Sequence, residues 1–103
     1  MIRVKLLKKD NDLKKIVIYG HAMYDDFGKD IVCSSVSSII ITTVNGIISI
    51  NEDAISYEYI EDGLILEIKS YDNVTLKLID NMLELLTKLS KDYPKNIRIK
   101  EGV

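Results

Sequence analysis

A chain of 103 residues that is 47% apolar and 29% charged has enough material for one hydrophobic core and enough charge to stay in solution. That balance excludes a disordered chain and makes one domain over residues 1–103 the expectation. The net charge is −2 and the Lys and Arg residues are spread along the chain, so no basic face strong enough for a phosphate backbone is evident and direct nucleic-acid binding is not expected. One cysteine excludes an internal disulfide, and one histidine excludes a Cys/His zinc cluster, so neither metal nor cofactor is expected.

The start, Met1 to Lys9, alternates charged and apolar residues, unlike a signal peptide. By this reading no stretch approaches the roughly 20 apolar residues of a membrane span, and the expected location is cytoplasmic, with no membrane partner. Ile2 to Leu7 reads as a first strand, with Ile2, Val4 and Leu6 on one face. The polar run Lys8 to Lys15 signals a turn, and Ile16 to Tyr19 resumes as a strand, giving a hairpin. From Gly20 to Lys29 periodicity disappears, with Gly20 and Gly28 near the ends of a loop.

Asp30 is an N-cap candidate for a helix from Ile31 to Ile50, in which Val36, Ile40, Val44, Ile47 and Ile48 recur at helical spacing. The β-branched run Ile39 to Ile41 argues for a strand, but twenty residues without proline suit a buried helix better. Ile55 to Ile60 and Leu64 to Ile68 flank Glu61-Asp62-Gly63, the strongest hairpin signal in the chain. From Asp72 onward Leu76, Ile79, Leu83, Leu86 and Leu89 mark a second amphipathic helix that ends before Tyr93-Pro94. Ile97 to Lys100 alternates and suits an edge strand. The order ββαββα, with that short C-terminal strand able to extend it, predicts a two-layer α+β domain: an antiparallel sheet packed against two helices.

Cys33 falls in the first turn of the first helix, where unpaired backbone N–H groups and the helix dipole favour the reactive thiolate. His21, at the end of the second strand, is placed to be its base. A lone cysteine is more often a small buried hydrophobe and a lone histidine a hydrogen-bonded surface residue. Asp30 serves as a helix cap or as a group orienting His21. Ser37 is one turn after Cys33, so its hydroxyl bonds either the backbone or the reacting groups. Asp25 and Asp26 read as solvated charge, and Tyr57, Tyr59 and Tyr71 as packing on the sheet.

The segment Gly20 to Ser37, GHAMYDDFGKDIVCSSVS, resembles the signature of the ribosomal-processing cysteine protease family, Prp, in which Gly-His-Ala precedes a variable loop and then Gly-x-Asp-Ile-Val-Cys-Ala-x-x-Ser. His21, Gly28, Asp30, Ile31, Val32, Cys33 and Ser37 match the pattern, and Ser34 replaces its usual alanine. The resemblance extends over essentially the whole chain. It implies an α+β fold, a homodimer and, as peptide substrate, the N-terminal extension of large-subunit ribosomal protein L-twenty-seven, removed during ribosome assembly. The expected mechanism is acyl transfer from a peptide to Cys33 with His21 as general base and then acid. The backbone N–H groups of Cys33 and Ser34 are the oxyanion candidates, and Ala22 to Lys29 is a candidate lid. The alternative is a non-catalytic module for ribosome assembly or peptide binding, in which Cys33 is structural.

Overall fold

The computed structural model describes residues 1–20 and 31–102. Strands β1 (Ile2–Lys9) and β2 (Asp12–Gly20) pair antiparallel around a two-residue loop, Asp10-Asn11, with φ of 54° and 68°. Asp and Asn tolerate this left-handed backbone, and such a loop matches the twist of the strands it joins. Because two residues suffice for the turn, both strands run further into the polar Lys8–Lys15 segment than their apolar patterns extend. A register shift between Leu7 and Lys8 absorbs the irregularity.

Helix α1 spans Ile31–Ile50, as the sequence predicts. Val32, Val36, Ile40, Val44 and Ile47 form its buried stripe, and that burial overrides the strand preference of its β-branched residues. Ser35 and Thr43 donate their hydroxyls back to the carbonyls of Ile31 and Ile39, at 2.7 and 2.9 Å, so these two polar side chains are satisfied within the helix. One expectation is overturned here. With a mean hydropathy of 1.9, α1 is long and apolar enough to cross a membrane by length and composition. In this fold its apolar stripe is taken up by the sheet.

Strands β3 (Ile55–Ile60) and β4 (Gly63–Ile68) form the second hairpin around Glu61 and Asp62. Gly63 is the first residue of β4 rather than part of the loop, and a Cβ there would lie 1.8 Å from the Ile18 carbonyl oxygen on β2. Helix α2 spans Asn73–Asp92. Asp72 caps it, accepting from the Thr75 N–H at 2.8 Å and the Thr75 hydroxyl at 2.9 Å, and Ser70 also donates to its carboxylate. These bonds, that from Ser70 foremost, lower the Asp72 carboxyl from 3.8 to about 2.

Strand β5 (Ile97–Gly102) completes a five-stranded sheet of order β3-β4-β2-β1-β5. The expected α+β architecture is present, but the sheet is mixed rather than wholly antiparallel, because β5 pairs parallel to β1. The cause is topological. Strand β4 runs in the direction of β1, and α2 carries the chain back across the sheet, so β5 starts from the end where β1 starts.

The inward residues of the strands, among them Val4, Ile16, Leu66 and Ile97, join the stripes of both helices in one core. Thr75 is the buried polar residue among those described. Among the described residues no helix covers the outer face, and the expectation that the Lys and Arg residues are simply spread out does not hold there. Arg3 and Lys5 of β1 stand beside Arg98 and Lys100 of β5, since strand pairing gathers residues that are far apart in sequence.

Candidate functional site

The apolar stripe of α1 places its N-terminal turn over the end of β2, where the β3–β4 hairpin also arrives. Cys33, the third residue of α1, is half-buried and packs against the core. It lies within the first turn, where backbone N–H groups lack intrahelical acceptors. It lines a cleft floored by buried Ile18, Val36, Ile40 and Leu64 and bounded at its rim by exposed Ile41 and Tyr59. The walls are therefore mostly hydrocarbon. The polar groups beside the thiol come from Ser37, Asp62 and the backbone of Gly20 and Gly63.

Gly20 ends β2 with a φ of 98°, and a Cβ there would lie 2.3 Å from the Met1 carbonyl oxygen. Both the backbone angle and the space demand glycine. Its N–H donates to the Asp62 carbonyl at 3.0 Å, tying the end of β2 to the β3–β4 loop. The register Tyr19↔Gly63 makes the same connection. The chain thus enters residue 21 from an anchored strand end that shares the cleft with Cys33.

Of the residues singled out in the sequence, Gly20, Cys33 and Ser37 meet in this cleft. Ser34 does not line it. Its side chain is exposed and faces the groove between α1 and α2, beside Ser38 and Leu85, so that only its backbone is relevant to the cleft side of the helix. His21, Gly28, Asp30 and the Ala22–Lys29 loop lie outside the described residues, as do Asp25 and Asp26. Among the described residues no cluster of three His, Cys, Asp or Glu side chains is spaced to hold a metal.

Sequence reading missed Tyr59, Asp62 and Leu64 as cleft residues, taking Asp62 for a turn and Tyr59 for sheet packing. Tyr59 shares the inward phase of Ile55 on β3, yet it is 71% exposed because β3 is an edge strand that the helices leave partly uncovered. The available signal was the pairing of β4 with β2. That pairing brings the Glu61-Asp62 loop beside Gly20, and it is not a local property of either segment.

A sequence profile of the family described as cysteine protease Prp matches residues 1–98. The ribosomal processing cysteine protease Prp of Staphylococcus aureus is 31% identical over 103 aligned residues, covering 96% of this chain and 97% of that protein. The Bacillus subtilis protein of the same name is 27% identical, covering 91% and 90%. A crystal structure of the Staphylococcus aureus protease with a covalently linked product peptide superposes with a TM-score of 0.90 at 24% identity, covering 99% of this chain and 100% of that one. A second, with a substrate peptide, superposes at 0.86 and 23%. The shared fold, the nearly full-length profile match and the 31% identical relative agree: this chain belongs to the Prp family and is, by that membership, a cysteine protease.

Proposed function

We propose that this cysteine protease is an endopeptidase that removes the N-terminal extension of large-subunit ribosomal protein L-twenty-seven during ribosome assembly, in the cytoplasm and as a homodimer. The observation that carries the reading is the setting of Cys33: a half-buried thiol in the first turn of a helix, opening into an apolar cleft beside the anchored strand end that leads to residue 21. That its relatives are ribosomal processing cysteine proteases supports a ribosomal protein as the substrate class.

His21 withdraws the Cys33 proton, and the thiolate, favoured by the helix N-terminus, attacks the scissile carbonyl. The backbone N–H groups of Cys33 and Ser34 stabilise the resulting oxyanion, a contribution of roughly 3 kcal/mol per donor in other enzymes. Collapse of the tetrahedral species breaks the C–N bond as His21 returns the proton to the leaving amine. Water then attacks the thioester, with His21 again as base, and releases the acid and the free thiol.

Asp30 orients His21, Ser37 hydrogen-bonds the reacting groups, and the Ala22–Lys29 segment, bounded by Gly20 and Gly28, closes on bound peptide. The cleft takes an apolar substrate side chain between Ile41, Tyr59 and Leu64. A peptide spanning the host L-twenty-seven extension, incubated with wild type and Cys33→Ala and read by mass spectrometry, tests the assignment. One cut by wild type alone supports it. An intact peptide bound equally by both proteins replaces it with a binding module. A monomer in sedimentation at micromolar concentration removes the homodimer.

A further inference from the structure

The outer face of the sheet has a charge pattern that its stability does not explain. Arg3 pairs with Arg98 and Lys5 with Lys100 across the β1–β5 ladder, so four exposed cations form a two-by-two array. Neighbouring strands are about 4.8 Å apart and alternate residues about 6.6 Å along a strand. Like charges placed directly opposite in a sheet are destabilising. Among the described residues the carboxylates paired with lysines are Glu101, Glu67 and Glu84, and none pairs with these four cations. Of the outward carboxylates of the strands, Glu58 and Glu67 lie on β3 and β4, and Asp12 stands at the hairpin end of β2 opposite Lys9, two outward pairs beyond Lys5. On a chain of net charge −2, these four described residues thus form a concentrated cationic surface.

An edge strand is guarded against aggregation by lysine, but that purpose needs neither the second cationic column on β1 nor its arginines. Tyr19 stands beside Arg3 on the same outer face, half-buried, with the Lys5 ammonium 5.9 Å from its ring centroid. The five residues Arg3, Lys5, Tyr19, Arg98 and Lys100 line one shallow depression.

We propose that this outer face binds single-stranded RNA, its backbone lying along the β1–β5 ladder and one base stacked at Tyr19. Arginine forks fit phosphate in a bidentate manner, and successive cations along a strand meet successive phosphates. An aromatic ring set among cations on an open sheet supplies the stacking platform that single-stranded RNA uses. An acidic protein segment would satisfy the charges but leave the ring without a role. The helices and Cys33 lie on the other face of the sheet, so bound RNA leaves the cleft open. The assignment does not depend on the protease reading, because binding is measured without peptide.

The test is fluorescence anisotropy of a labelled twelve-nucleotide single-stranded RNA between about 50 and 200 mM salt. Four phosphate contacts predict a slope of log affinity on log salt near −3. Arg3→Gln with Arg98→Gln is expected to weaken binding about tenfold or more and to halve that slope. Lys88→Gln with Lys91→Gln, the same charge change on α2, is expected to leave binding unchanged. Tyr19→Ala is expected to weaken binding with the slope preserved. Thermal melting of the arginine double variant is expected at or above the wild-type temperature, since it removes repulsion and leaves the core intact. Absence of binding at about 100 µM protein in low salt would overturn the proposal. So would equal loss in the two double variants, or competition by polyglutamate as effective as by unlabelled RNA, which would assign the face to an acidic protein.

Discussion

Leu66 and Ile65 are neighbours on β4 that point to opposite faces of one sheet. Leu66 is fully buried beneath the helices, while Ile65 is half-buried and looks outward between Val17 and Glu58. The inner face joins both helices in a single core and, where that core runs out at its edge, forms the cleft holding Cys33. Among the described residues nothing is layered over the outer face, which carries cations instead. The period of two along a strand is enough to produce this division, since it separates residues adjacent in sequence and unites Arg3 with Arg98. Chemistry on the inner side and charge on the outer side should therefore be separable by mutation.

The largest expected effect is on catalysis. Cys33→Ala should lower cleavage of the L-twenty-seven peptide by about 10⁴-fold or more while leaving RNA binding at the outer face unaltered; parallel loss of both would break the division of labour. Leu66→Ala should destabilise the fold by about 3 kcal/mol and Ile65→Ala by under about 1 kcal/mol, measured by denaturant unfolding. Equal costs would mean that the outer face is covered in solution. Gly63→Ala should cost about 2 kcal/mol, because the added methyl meets the Ile18 carbonyl and forces β4 away from β2. Since this pairing also holds the Asp62 loop beside Gly20, its peptide KM is expected to rise as well.

The elements of this fold were largely legible because each carries its own periodicity. Helix α1 begins and ends at the predicted residues, and β3, β4 and α2 lie within a residue of theirs. What escaped were properties that two distant segments share. The parallel entry of β5 depends on the direction that α2 imposes, and the cationic array exists only once β1 and β5 are paired. At the site, Cys33 was legible from its place in a helix turn, and Gly20 and Ser37 join it. Tyr59, Asp62 and Leu64 were not, because their presence in the cleft follows from the β2–β4 register and from how far α1 covers the sheet. The apolar character of α1 was also underestimated, since its Ser and Thr residues break the run of letters without breaking its helical stripe.

The smallest effect concerns how the helix layer responds to acid, which the outer face does not share. Asp72 holds the start of α2 through Thr75 and Ser70, and its carboxyl is lowered in the folded protein to about 2. A group with a depressed folded pKa binds its proton more readily in the unfolded chain, so its contribution is complete above the ordinary carboxyl value of 3.8 and disappears as pH falls through about 2. The group is exposed, which keeps the effect modest. Asp72→Ala should lower Tm at neutral pH, and its gap from wild type should narrow between pH 4 and pH 2, because wild type then loses the cap that the variant already lacks. The Arg3→Gln, Arg98→Gln variant should show no such change of gap there, since arginine stays charged throughout and the outward carboxylates lie away from it, Glu58 and Glu67 on β3 and β4 and Asp12 at the hairpin end of β2. A gap that narrows equally in both variants would mean that the acid response belongs to the protein's total charge and not to the capped helix.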